Sequence, residues 1–300
     1  MSLPQLTVFT PTYNRAHTLI RCYESLKRQT NKEFVWLIVD DGSSDETENM
    51  VMGWMQEEKG FKINYLYQEN SGMHSAHNLA YENIFTELNV CIDSDDYMPI
   101  DAVEKILLFW NEQKDKENIA GFMALDALEN GQIIGNEFPE NIKKATSYDY
   151  YFKYGLKGDK KFILRTELCK LNRYPVFEGE KYVNLATKYS LLDLAYEFLN
   201  LNEVVCIVEY LEDGSSKNMF KQYMENPKGF AYSRKLCMSL PFASLSFKYR
   251  QAVHYVSSCL ISKDRMWLEN SPQKLICLAA IIPGFLWFLY IEYRYRKDYK

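Results

Sequence analysis

The sequence predicts an α/β protein built on a mostly parallel sheet with helices on both faces. Three observations carry that expectation. Short apolar runs alternate with amphipathic stretches over the first 125 residues. The runs end in Asp, Asn and Gly, residues that turn a chain. The chain has 300 residues, 47% hydrophobic and 25% charged, enough to bury a large core.

The elements follow in order. Leu6–Thr10 reads as a strand stopped by Pro11. His17–Arg28 reads as a helix, with Leu19, Ile20, Tyr23 and Leu26 on one face. Phe34–Val39 is a continuous apolar run ending in Asp40-Asp41-Gly42. Ser43 with Glu46 has capping-box spacing, which predicts a helix to about Lys59. Ile63–Tyr67 is a third strand, Ser75–Phe85 a third helix, and Val90–Ile92 a short strand ending at Asp93. Ala102, Val103, Ile106, Leu107 and Trp110 mark a fourth helix. Beyond it, Ala120–Leu125, Gly131–Gly135 and Lys161–Arg165 read as strands, Glu180–Leu199 as a helix and Val204–Val208 as a strand. Tyr148–Tyr154 is an aromatic cluster without a clear period.

Charge separates the chain into two parts. The net charge is −5, which argues against a nucleic-acid partner held by bulk electrostatics. From residue 271 onward, five basic residues face two acidic ones, so this segment is +3 and the first 270 residues are −8. The segment contains 17 uncharged residues, Leu275–Ile291, with Pro283-Gly284 in the middle and tyrosines near its end. That is short for a span, and a bent segment lying on a membrane surface is expected, with basic residues at the headgroups; a helix packed into the core is the second reading and a true span the third. Seven cysteines without a CxxC pair fit a reducing compartment, and the N-terminus lacks the pattern of a signal peptide. A cytoplasmic protein, peripheral on the membrane, is the expectation.

In a parallel sheet, ligands gather at the carboxyl ends of the strands. Here those ends carry Pro11–Arg15, Asp40–Gly42, Asn70–Gly72 and Asp93–Asp96. The carboxylates of Asp93, Asp95 and Asp96 would repel one another unless a cation sat among them, and a divalent ion bound to carboxylates and phosphates meets that need. Asp41 offers an acceptor for a base N–H or a ribose hydroxyl. Tyr13 offers a ring for stacking, and Arg15 a cation for a phosphate.

Four blocks, FTPTYNRAHTLIRCYESLKRQT, VDDGSSDET, ENSGMHSAHNLA and IDSDD, resemble in order and spacing the family-2 inverting glycosyltransferases of the GT-A fold. The resemblance covers residues 5–115 and extends through FEGEKYV and EYLEDGSS to about residue 216. It implies a donor half at 1–115, an acceptor half at 116–220 and a helical extension at 221–300. It also implies a nucleotide-diphosphate sugar donor, UDP being the family's commonest nucleotide, and a glycan or lipid-linked acceptor in bacterial surface polysaccharide assembly. By the same resemblance, Pro11, Tyr13, Arg15, Asp41, His74, Asp93 and Asp95 face the donor. Mn²⁺ or Mg²⁺ sits at Asp95 and Asp96, and Glu180 is the catalytic base, with Glu178 second. Met73 stands where the family usually has Lys. The 209–216 segment is expected to be a lid.

Three other classes compete. A sugar nucleotidyltransferase should open with a Gly-rich phosphate loop, but residues 6–20 contain no glycine. A glycosidase would leave Tyr13 and Asp41 without a purpose. A non-catalytic nucleotide-sugar-binding protein tethered to a membrane would not need Asp93, Asp95 and Glu180.

Overall fold

The computed structural model describes residues 4–209 and 218–299. Eight strands form one sheet in the order β3-β2-β1-β4-β7-β5-β8-β6. They are β1 (Leu6–Thr12), β2 (Phe34–Asp40), β3 (Lys62–Tyr67), β4 (Leu88–Cys91), β5 (Ile119–Ala127), β6 (Lys144–Ala145), β7 (Lys160–Arg165) and β8 (Glu197–Ile207). The first four pair in parallel, as the alternation predicts. The sheet as a whole is mixed, because β7 runs antiparallel between β4 and β5, and β6 antiparallel to β8.

Helices α1 (Ala16–Lys27), α2 (Thr47–Glu57), α3 (Met73–Asn83) and α4 (Ala102–Glu112) connect the parallel strands and the start of β5. Strand alternation sorts the helices. Leu6, Val8, Trp36, Ile38, Val90 and Phe122 bury one face against Leu19, Tyr23, Leu26, Val51, Trp54, Ile106 and Trp110 of α1, α2 and α4. Phe9, of opposite parity, meets His77 and Tyr81 of α3 edge-on.

Several local expectations change. β1 continues through Pro11 because residues 9 and 11 point their backbone groups towards β4, whose ladder ends at Cys91. The N–H that proline lacks therefore has no ladder partner to lose. Ser43 does not cap α2. Its Oγ accepts the Asn14 N–H, and Asp45 instead takes the N–H and hydroxyl of Thr47. Gly131–Gly135 makes only one isolated bridge, Ile133 to Ala127, rather than a strand. The expected helix over 180–199 contracts to α7 (Ala186–Leu192), and Glu197–Leu199 already belong to β8. The aromatic cluster forms α5 (Ser147–Phe152), started by the Thr146 hydroxyl accepting the Asp149 N–H. A further short helix, α6 (Thr166–Leu171), follows β7.

Two compact units emerge. The first, Met1–Arg173 with Ala195–Leu211, contains the sheet. The second, Tyr174–Leu194 with Glu212–Lys300, contains α7 and the helices α8 (Met219–Glu225), α9 (Pro227–Ser239), α10 (Leu245–Ser262), α11 (Lys274–Ala279) and α12 (Ile281–Tyr299). Its core joins Met238, Ala252, Tyr255, Val256, Cys259, Cys277 and Ala280. The apolar segment divides at Ala280, between α11 and α12, rather than at Pro283, and Ala280 keeps helical φ/ψ. Pro283 lies in the first turn of α12, where its missing N–H costs little. Gly284 permits close approach to α10, since a Cβ there would lie 2.7 Å from Val256. Among the described residues, no helix is long and apolar enough to cross a membrane. The expected lid at 209–216 lies, apart from Glu209, outside the described residues.

Candidate active site

The rim is built from the tips of β1, β2 and β4. At the β1 tip, Asn14 adopts positive φ, and its side-chain carbonyl accepts the Ser44 N–H at 2.8 Å. The Ala16 N–H donates to Asp45 at 3.1 Å. These bonds fix the loop that carries Tyr13 and Arg15 against the loop after β2. The Tyr13 ring is 49% exposed, Pro11 is buried and Arg15 is half-buried.

At the β2 tip, every carboxylate oxygen has a partner. Asp40 accepts from the Ser43 N–H and the Tyr65 hydroxyl, each at 2.7 Å. Asp41 Oδ1 accepts from Gln68 Nε2 at 2.6 Å and the Ser71 N–H at 2.8 Å. Its Oδ2 accepts from the Gly72 N–H at 2.8 Å and Asn70 Nδ2 at 3.3 Å. A carboxylate has about four acceptor sites, so Asp41 is saturated by the 68–72 loop that leads into α3.

His74 and His77, both on α3, differ. His77 is a core residue: Nδ1 meets the Tyr81 hydroxyl at 3.2 Å, and Nε2 meets Cys91 Sγ at 3.6 Å. His74 is 1% exposed, and neither ring nitrogen has a hydrogen-bond partner. Burial lowers its pKa despite the nearby Asp41 charge, so the ring stays neutral.

The β4 tip is different again. Asp93 and Asp95 are half-buried. Burial and the Asp93 charge raise the Asp95 pKa, against the pull of Arg15 and Lys161. Asp96 is committed elsewhere. It accepts the Glu209 N–H at 3.2 Å and lies 3.6 Å from Lys161 Nζ. Below it, Asp126 is 2% exposed, with one oxygen unpartnered, and burial pushes its pKa up to about 6. Burial works against the Lys161 charge, but Cys206, Asp126, Asp96 and Asp93 around it raise its pKa well above the ordinary value. Lys161 thus acts on four acids, Asp93, Asp95, Asp96 and Asp126.

Among the described residues, no group of three or more His, Cys, Asp and Glu side chains is drawn together as a metal cage. The oxygen donors of Asp93 and Asp95 nevertheless suit Mg²⁺ or Mn²⁺, which bind through one or two carboxylates and leave other positions to water and phosphate.

Glu180 lies in the second unit. It is buried, and its two oxygens accept the N–H groups of Lys228 at 2.9 Å and Gly229 at 2.8 Å. These are first-turn donors of α9 with no partner inside the helix, so Glu180 caps it. Gly229 is required there, since a Cβ would lie 2.2 Å from the Tyr182 carbonyl oxygen. Glu178 is exposed. A cavity of about 400 Å³, lined by Phe177, Lys228, Tyr232 and Lys235 among others, lies beside this cap.

Residues 7–177 match the family described as Glycosyl transferase family 2. The chain belongs to glycosyl transferase family 2. Relatives include TuaG of Bacillus subtilis (strain 168), whose name places it in teichuronic acid biosynthesis. It is 28% identical over 222 residues, covering 73% of this chain and 84% of TuaG. A protein of Rickettsia felis, named only as a glycosyltransferase, is 31% identical over 147 residues. That match covers 46% of this chain and 24% of the relative. GlyA of Streptococcus pneumoniae serotype 4 is 27% identical over 181 residues, 59% of this chain and 26% of GlyA. The chain therefore spans about a quarter of the last two.

The fold is that of S. aureus TarS 1-349 solved with UDP-GlcNAc, with a TM-score of 0.62 and 16% identity over 99% of this chain and 93% of that one. The mannosyltransferase PcManGT of Pyrobaculum calidifontis, solved with GDP-Man and Mn²⁺, aligns at TM-score 0.55 and 16% identity. That alignment covers 97% of this chain and 88% of PcManGT.

On this family-2 frame, Tyr13, Arg15, Asp41, His74, Asp93 and Asp95 lie on the loops and helix start that follow β1 to β4. Lys161 and Asp126 are additions that sequence reading missed. The signal was parity: Lys161 shares a strand face with Ile163, and Asp126 with Ala124, both core positions. A charge on a buried face must find a counter-charge.

Proposed function

We propose that this chain transfers a sugar from a nucleotide-diphosphate sugar, with UDP the first nucleotide to test, to a hydroxyl of a glycan or lipid-linked acceptor. The observation that carries the reading is the poorly neutralised Asp93–Asp95 pair at the β4 tip of a family-2 sheet. TarS complexes with UDP and UDP-GlcNAc, and the PcManGT complex with GDP-Man and Mn²⁺, support a nucleotide-sugar donor and a divalent cation. The name of TuaG supports a surface-polysaccharide setting. Free cysteines fit a reducing compartment, so we assign the protein to the cytoplasm.

Residues 1–115 form the donor half in this reading, 116–220 the acceptor half, and 221–300 the helical extension. Tyr13 stacks on the base against Pro11, and Arg15 meets a phosphate. Asp41 presents the 68–72 loop and contacts the base only by exchanging the Gln68 or Asn70 side chain. His74, neutral and unpartnered, can donate one hydrogen bond and accept another at the donor. Asp95 and Asp93 would hold Mn²⁺ or Mg²⁺, which would supply positive charge to the departing diphosphate. Asp96, tied to Lys161, anchors the cluster rather than completing the metal set.

Glu180 is the proposed base. Its oxygens are held by two N–H groups at the start of α9, and attack from the face opposite the diphosphate would invert the anomeric centre. A second reading is a nucleotide-sugar-binding protein without turnover, and the capping duty of Glu180 favours it. A screen of nucleotide sugars for metal-dependent turnover, run on the parent, Glu180→Gln and Glu178→Gln, decides between them. Loss of turnover in Glu180→Gln alone, with donor binding and melting temperature retained, supports transfer with Glu180 as base. Donor binding without turnover in the parent rejects catalysis, and equal turnover in Glu180→Gln rejects that base.

A further inference from the structure

Helices α11 and α12 bury apolar side chains on one side and expose them on the other. The inner side carries Cys277, Ala280, Gly284 and Ile291, all buried. The outer side carries Leu275, Leu278, Ile282, Leu286, Leu289 and Tyr293, spaced three or four residues apart. Their exposures are 82, 46, 73, 59, 42 and 60%. That spacing makes one continuous stripe, since such residues share a helix face. Water-exposed apolar stripes of this length mark a contact surface.

The charges around the stripe select its occupant. No acidic residue lies between Glu269 and Glu292. Arg296 pairs with Glu292 at 2.6 Å, and Arg294 with Asp298 at 3.1 Å, so these arginines are neutralised. Lys263, Arg265, Lys274 and Lys297 remain exposed, against the exposed acids Asp264 and Glu269. A cavity of about 550 Å³, lined by Leu260, Lys263, Arg265, Trp267, Ile281 and Phe285 among others, adjoins the stripe. Apolar side chains flanked by cations, with tyrosines at one end, match a helix lying at the boundary between headgroups and acyl chains. A second copy seated on the same stripe would face Lys274 without an acid on the stripe to meet it.

We propose that the outer face of α11–α12 docks on the surface of a bilayer containing anionic lipid, lying on it rather than crossing it. The inference uses the second unit alone and does not depend on the donor site or on Glu180.

The test is co-sedimentation of the full chain with vesicles of phosphatidylcholine, with and without about a quarter phosphatidylglycerol. The chain should bind the mixed vesicles, several-fold more weakly without phosphatidylglycerol. Ile282→Glu with Leu286→Glu should lower binding at least about tenfold at an unchanged melting temperature, because both side chains are already in water. Phe85→Glu, at an exposed apolar position in the first unit, should bind like the parent. Equal binding by the double variant and the parent, or no binding by the parent, overturns the proposal. A parent dimer in light scattering that the double variant dissolves, without vesicle binding, assigns the stripe to a second copy and also overturns it.

Discussion

Two strand tips on one sheet end in paired carboxylates and use them in opposite ways. At the β2 tip, Asp40 and Asp41 accept six hydrogen bonds between their side chains, which fold the loops around them. At the β4 tip, Asp93 and Asp95 repel each other, and the Asp95 pKa is raised. The first pair organises structure, and the second is the pair proposed to hold a cation. The lesson is that acidity at a strand tip does not by itself mark a ligand site, because the same residue type at the β2 tip is consumed by its own loops. The second unit repeats the contrast with different groups. Glu180 accepts one N–H of α9 on each oxygen, while His254 Nδ1 is buried without a hydrogen-bond partner.

The contrast can be broken most directly by removing charge at the β4 tip. Asp95→Asn should lower metal-dependent transfer by about 10²–10³-fold, while the melting temperature holds or rises as repulsion is relieved. A chromatographic transfer assay and a thermal melt on the same preparation check both halves. Lys161→Met strips the cation 3.6 Å from Asp96 out of the buried cluster and should cost about 3 kcal/mol in urea unfolding. A loss below about 1 kcal/mol would mean that Lys161 does not balance these acids.

Asp41→Asn tests the other tip. It should cost about 1–3 kcal/mol and speed amide exchange across 68–72, because an amide cannot accept all four bonds. The effect confined to acid pH belongs to His254, whose pKa burial lowers to about 4. The unfolded chain takes up this proton first, near the ordinary value of about 6.5, so stability is present above that pH and falls as pH drops towards 4. His254→Phe, which keeps a ring against Trp287, should flatten that acid limb by about 1–3 kcal/mol in urea titrations across pH 4–7.

Much of the β1–β4 half was legible because each strand was an apolar run ending in a turn residue. Asp93 and Asp95 could be found from that position alone. The state of Asp41 could not, since its partners Gln68, Asn70, Ser71 and Gly72 are about 30 residues away and meet it only through β2–β3 pairing. Glu197–Leu199 were misread as helix because β8 is only partly buried and its sequence lacks clean alternation. Asp45 displaced Ser43 as the start signal of α2 because the Ser43 hydroxyl was already bonded to the β1 loop. Lys161 and Asp126 required strand parity as well as strand recognition.

Calorimetric titration of UDP, with and without Mn²⁺, into the parent and the Asp93→Asn/Asp95→Asn double variant tests the central claim. The account predicts heat from the parent that depends on Mn²⁺, and its loss in the double variant at an unchanged melting temperature. Equal, metal-independent UDP binding by both proteins would contradict it.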